Sequence, residues 1–182
     1  MNFVKKSFAI LMVALLPAVA FAQNYRLQDR RELVEFNDDD SGNSQFDVYA
    51  MDENGQSTYY LCVGHLGFGD RNVQIFLDPL TSLSVYLGNS LAEALDAVVE
   101  LQELAKGENG ASIEKTGYLS YGIPNDKPET VTITCRKGLL GRSLDFSLDR
   151  GSYIRAANLS RMDINNLAMG LKGYKRIHPK EQ

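Results

Sequence analysis

Two stretches of this chain carry the same landmarks in the same order, and that constrains its architecture more than any other feature. Cys62 is followed by Leu66, Gly69, Arg71 and the run Ile75-Phe76-Leu77-Asp78. Cys135 is followed by Leu139, Gly141, Arg142 and Leu144-Asp145-Phe146-Ser147-Leu148-Asp149. Each stretch then reaches a serine placed to open a helix, Ser90 in the first and Ser160 in the second. The pattern predicts an internal duplication, with repeats over 43–110 and 111–178 forming one domain and a tail at 179–182.

Local signals fill in each half. Gln45 to Met51 alternates as a strand should, and Glu53-Asn54-Gly55 is a hairpin turn, because Asn-Gly accepts positive φ. Ser57 to His65, Asn72 to Leu77 and Leu83 to Leu87 read as further strands. Ser90 with Glu93 three residues on is a capping-box pattern, in which each partner satisfies a free backbone donor of the first turn. Leu91, Ala94, Leu95, Val98, Leu101 and Ala105 then recur at helical spacing, closed by Gly107. In the second half, Tyr118 to Gly122, Thr130 to Arg136, Ser143 to Leu148 and Tyr153 to Leu159 read as strands. Ser160 and Asp163 open a helix with Ile164, Leu167, Ala168 and Leu171 on one face. Residues 23–42 read as an N-terminal segment and linker ending in Asn37-Asp38-Asp39-Asp40-Ser41-Gly42. The expected fold class is therefore α+β: two ββββα repeats whose antiparallel sheets pack against helices about a pseudo-twofold axis.

In topology alone, from Gln45 to Ile177, that duplicated order resembles the Whirly and PUR-repeat binders of single-stranded nucleic acid. The resemblance implies a sheet face that holds a nucleic-acid strand. No motif accompanies it, and topology by itself does not carry function.

The N-terminus speaks to location. Lys5 and Lys6 precede an apolar run from Phe8 to Val19, and Ala20-Phe21-Ala22 follows as a small-x-small site. Residues 1–22 thus read as a cleaved secretory signal peptide, too short in its apolar part to span a bilayer. Cleavage after Ala22 gives an exported protein, periplasmic or extracellular, with no cysteine at the junction to carry lipid. The two lysines are the only charges removed, so Lys+Arg falls from 19 to 17 against 23 acids. Such an acidic product is a poor partner for nucleic acid, whose phosphates demand a positive surface.

Charge is divided unevenly. Residues 43–110 hold 10 acids and 2 bases, whereas residues 111–182 hold 7 acids and 12 bases. One reading is mutual attraction of the halves. The other is a basic surface containing Arg136, Lys137, Arg142, Arg150, Arg155 and Arg161, offered to an exported acidic protein or a polyanion. Arg136, Lys137, Arg142 and Arg155 are its candidate binding residues.

In an oxidising compartment an even cysteine pair reads first as a disulfide, here Cys62–Cys135, with two separately buried thiols as the alternative. A bridge between equivalent positions of two repeats would place them within about 7 Å, beside the pseudo-twofold axis.

The search for chemistry yields little. A hydrolase would use His65 as general base, Cys62 or a serine as nucleophile and Asp70 as orienter. The odd Cys62–His65 separation, however, sends the two side chains to opposite faces of a strand. His178 lies beside Pro179 near the C-terminus. The glycines at 64, 67 and 69 form neither a dinucleotide fingerprint nor a phosphate loop, and point to a bulge or wide turn. Asp38 to Asp40 lack the twelfth-position glutamate of an EF-hand, and no cluster has zinc spacing. No cofactor, metal or catalytic residue is expected from these patterns. Tyr49, Tyr59, Tyr60, Tyr86, Tyr118, Tyr121 and Tyr153 fall on or near strands, where aromatics either pack or stack against sugars, bases or a protein. The leading expectation is an exported, non-catalytic binding or interaction protein. A small periplasmic hydrolase and a Whirly-like single-strand binder follow it.

Overall fold

The first strand is one that residue patterning hid. The computed structural model of the chain describes residues 29–36, 46–65, 82–120, 124, 127–139, 141–148 and 157–181. Strand β1 runs Arg30–Phe36, inside the stretch expected to be linker. It is followed by β2 (Phe46–Glu53), β3 (Gln56–His65), β4 (Ser82–Gly88) and helix α1 (Leu91–Leu104). Strands β5 (Ser112–Ser120), β6 (Glu129–Gly138), β7 (Gly141–Leu148) and β8 (Ala157–Ser160) come next, and helix α2 (Arg161–Ile177) follows β8. Residues 1–22, read above as a signal peptide, the Asp38–Asp40 run, the strand expected at 72–77, Asp70, Arg150, Arg155, Tyr121 and Tyr153 lie outside the described residues.

All eight strands form one antiparallel sheet in sequence order, curved into a half-barrel. The expectation of two ββββα repeats with separate sheets is corrected by one contact in particular: β4 pairs directly with β5, Ser82 opposite Ser120 through Val85 opposite Gly117. That ladder fuses the two halves. The helices do not each cover a sheet of their own. They pack on each other and on the same sheet face, with α1 against β4 and α2 against β1, β7 and β8. The landmark match also slips by a strand, since Cys62 sits in β3, third of its group, and Cys135 in β6, second of its group.

Alternation along each strand gives the sheet two faces. The inner face, which carries both helices, gathers Val48, Ala50, Tyr59, Leu61, Leu83, Val85, Val131, Ile133, Cys135, Leu144, Phe146 and Leu159 into one buried core. Helix α1 adds Leu91, Ala94, Val98 and Leu101, and α2 adds Ile164, Leu167, Ala168 and Leu171. Each of the leucines contributes about 1.5–3 kcal/mol by leaving water. Both helices start on a serine cap. The Ser90 hydroxyl accepts from the Glu93 amide, and Ser160 with Asp163 forms the full reciprocal box. Two glycines mark close approaches. A Cβ on Gly117 would lie 2.2 Å from Val131 Cγ2, and one on Gly170 would lie 2.6 Å from Val34 Cγ1, so α2 can rest on β1 only with glycine there.

The same geometry corrects the expected disulfide. Cys62 and Cys135 are both outside any disulfide, and both are buried. Cys62 stands opposite Ser84 in the outer-face cluster, whereas Cys135 belongs to the inner core. Three strand spacings of about 4.8 Å separate β3 from β6, twice the reach of a bridge, and the side chains point away from each other.

Candidate binding surface

On the outer face, which neither helix covers, β2 to β5 hold a second and separate apolar cluster. Tyr49, Met51, Tyr60 and Cys62 are its buried members, and the half-buried Tyr86 and Tyr118 pack against them. Register explains the gathering: Tyr49 is opposite Tyr60, Tyr60 opposite Tyr86, and Ser84 opposite Tyr118. Alternate residues of four neighbouring strands therefore converge on one patch.

Tyr60 is the hub. Its ring stacks on Tyr49 at 5.5 Å between centroids, and meets Tyr86 at 6.1 Å and Tyr118 at 5.9 Å edge to face. These are the arrangements that a ring quadrupole favours. Tyr49 anchors the cluster from below. Its hydroxyl shares a 2.6 Å hydrogen bond with Ser84, the one fully buried polar side chain among the described residues. The Arg30 guanidinium lies 4.0 Å from the Tyr49 ring centroid, held there by Asp47 at 3.0 Å and by Glu32. Burial drives the Tyr49 phenol far above its ordinary pKa, against the Ser84 hydrogen bond, so it stays a neutral hydroxyl. Burial, helped by the Glu93 charge, also raises Tyr86.

Beside the aromatics, at the β2–β3 hairpin, lies a small cleft of about 220 Å³. Met51, Glu53, Asn54, Gln56, Thr58, Tyr60 and Pro124 line it. The hairpin turn has Asn54 and Gly55 both at positive φ, 53° and 78°, as the Asn-Gly pair predicts. A ring edge, an amide, a hydroxyl and a carboxylate thus face one hollow. Such a set recognises hydrogen-bonding groups mounted on an apolar body, and supplies neither a nucleophile–base pair nor a metal cage.

A second polar cluster closes one end of the inner face. Arg31 makes a two-pronged ion pair with Asp52, at 2.7 and 3.1 Å, and reaches Glu181 at 2.8 Å and the Tyr174 hydroxyl. Glu181 also accepts from Tyr59 at 2.9 Å and from Tyr174 at 2.8 Å, so the end of the chain is tied to β1 and β3. His178 stacks on Tyr174 at 4.3 Å. Hydrogen bonds from Arg31 hold Asp52 below the usual carboxylate range. Burial alone would raise Glu181, and its hydrogen bonds from Tyr174, Arg31 and Tyr59 reverse that into a net lowering. Burial, with Glu181 as acceptor, pushes the Tyr59 phenol up to about 12. Every member of this cluster is occupied with another, which makes it a fastening rather than a reaction centre.

The basic residues singled out from sequence do not converge. Arg136 lies on the outer face, paired with Asp145 at 3.2 Å. Lys137 and Arg142 face each other at the far end of the β6–β7 hairpin, one residue over and therefore on the other face. The Arg142 guanidinium is bonded to the Lys106 carbonyl. Arg161 is the exposed first residue of α2. His65 ends β3 across from Ser82, after a register shift. Among the described residues no group of three or more His, Cys, Asp or Glu is placed to hold a metal ion, and no helix is long and apolar enough to cross a membrane. The tyrosine patch was legible as a list of strand tyrosines. Which of them share a face required the register, and Tyr59, on the opposite face from Tyr60, shows how adjacent residues part company. Comparison with protein-family models, with curated proteins and with solved structures found no match.

Proposed function

We propose that this chain is an exported, non-catalytic binding protein whose ligand surface is the tyrosine-bearing part of the outer sheet face. The observation that carries the reading is Tyr60 at the centre of three other tyrosine rings, on a face left clear by both helices and bordered by a hydrogen-bonding cleft. Tyr86 and Tyr118 are half-buried, so each keeps part of its side chain in reach of solvent. The N-terminal signal pattern supports an exported setting. Native mass spectrometry of the chain recovered from its own exported fraction tests the reading. A reproducible added mass on the wild type, absent from a Tyr86→Ser, Tyr118→Ser double variant, is the expected result. Equal retention of the same mass by the double variant would overturn it.

A further inference from the structure

The outward side of the helix layer carries an arrangement that the tyrosine face does not explain. Helix α1 contains Glu93, Asp96, Glu100 and Glu103 and no basic residue, whereas α2 contains Arg161, Lys172, Lys175 and Arg176 against the single acid Asp163. The two helices lie side by side, joined by the Gln102 amide donating to Asn165 at 2.8 Å. Among the described residues the four basic side chains of α2 make no ion pair with α1. Glu100 turns aside to Lys115 of β5, and Glu103 pairs with Lys106 just beyond its own helix. Large apolar side chains sit between the charges: Met162 is 69 % exposed, Met169 71 %, Ile177 73 % and Val99 38 %. Helical spacing aligns them. Ala92, Asp96, Val99 and Glu103 form one outward stripe, and Met162, Met169, Lys172 and Arg176 form its neighbour.

We propose that this helix layer is a self-association surface, and that its occupant is the helix layer of a second copy of this chain. A twofold axis lying between the two helices lays α1 of each copy over α2 of the other. Acidic stripe then meets basic stripe twice, with the methionines and Val99 in the middle, as an isologous contact requires. Seventeen residues make α2 about 25 Å long, and a neighbouring helix at about 9 Å doubles the width. The contact therefore falls at the small end of stable interfaces, on the order of 1,000 Å² in total, and responds strongly to salt.

Sedimentation of the full chain at low and at high ionic strength, with three exposed-site variants checked for folding by circular dichroism, tests this. The wild type is expected to dimerise at low salt and to dissociate at 1 M NaCl, and Met169→Asp to weaken the dimer at least tenfold. An α1 reversal, Asp96→Lys with Glu103→Lys, and an α2 reversal, Lys172→Glu with Arg176→Glu, should each be monomeric alone and form a heterodimer when mixed. Wild-type dimerisation together with rescue on mixing is the decisive outcome, because α1-on-α2 pairing is attractive at both contacts in the wild type and again in the mixed pair, whereas α1-on-α1 stacking would be repulsive in the wild type. A wild type that stays monomeric at 100 μM in low salt would overturn the proposal. So would a dimer indifferent to Met169→Asp, or a monomer that instead co-sediments through α2 with phosphatidylglycerol vesicles.

Discussion

The outer face of the sheet is two different surfaces on one ladder. Over β2 to β5 its alternate residues are Tyr49, Met51, Tyr60, Cys62, Tyr86 and Tyr118, a cluster packed without help from either helix. Over β6 to β8 the matching positions are Thr130, Thr132, Thr134, Arg136, Ser143, Asp145, Ser147 and Asn158, of which Arg136, Ser143, Asp145, Ser147 and Asn158 bond to one another or to the backbone. The inner residues of both regions are apolar, and β6 and β7 pair over eight positions with, among the described residues, this polar coat outside. Folding the sheet therefore does not demand aromatics on its outer side. Where they are nevertheless concentrated, hinged on a deeply buried Tyr49 and ending in half-exposed rings, binding is the economical account of the surplus.

The comparison breaks most visibly at Tyr49. Its ring is fully buried, stacked on Tyr60, covered by Arg30 and bonded to Ser84, so Tyr49→Ala should cost about 3–5 kcal/mol by urea denaturation. The equivalent change in the polar region, Thr132→Ala, should fall within about 1 kcal/mol. Similar costs for the two would mean that the aromatic region is not packed as described.

Acid sharpens the contrast between the outer patch and the inner fastening. Asp52 and Glu181 both have lowered pKa values in the folded chain. Folding thus gains stability from them above the ordinary carboxylate range, near pH 4, and loses it as pH falls through their depressed values. Melting temperature should accordingly drop below about pH 4, and Arg31→Met should both lower it at neutral pH and flatten the acid limb. An Arg31→Met variant with an unchanged acid limb would remove Arg31 as the cause.

Smallest of all should be the effect of Tyr118→Ser on stability, about 1 kcal/mol or less, because that ring is only half-buried. Loss of ligand without loss of stability is what separates a binding edge from a core residue. A cost near that of Tyr49→Ala would assign Tyr118 to the core.

Short-range chemistry was the legible part of this chain. Asn54-Gly55 specified a hairpin, Ser90 and Ser160 specified helix starts, and the periodic residues of both helices are the ones that meet the sheet. Three features defeated the longer-range reading. In β1 a register shift between Glu32 and Val34 interrupts the alternation, so a charged strand resembled a linker. In β5 the strand runs Ser112–Ser120 through Gly117, where the sequence reading placed one from Tyr118 to Gly122, and the 2.2 Å approach of Val131 shows why no side chain fits at that glycine. Lastly, alternation tells which residues share a face but not which strand lies alongside. Nothing local announced that β4 would pair with β5 across a helix, and that one ladder turned two expected repeats into a single sheet and set Cys62 and Cys135 far apart.

The most direct test of the proposed binding surface is hydroxyl-radical footprinting of the chain in the native fraction that contains it against the purified chain. Tyr86 and Tyr118 should be protected in the fraction and modified after purification, while the exposed Thr130 of β6 and Tyr174 of α2 react alike in both. Equal modification of Tyr86 and Tyr118 in the two samples would contradict the account, as would protection confined to the polar region of the outer face.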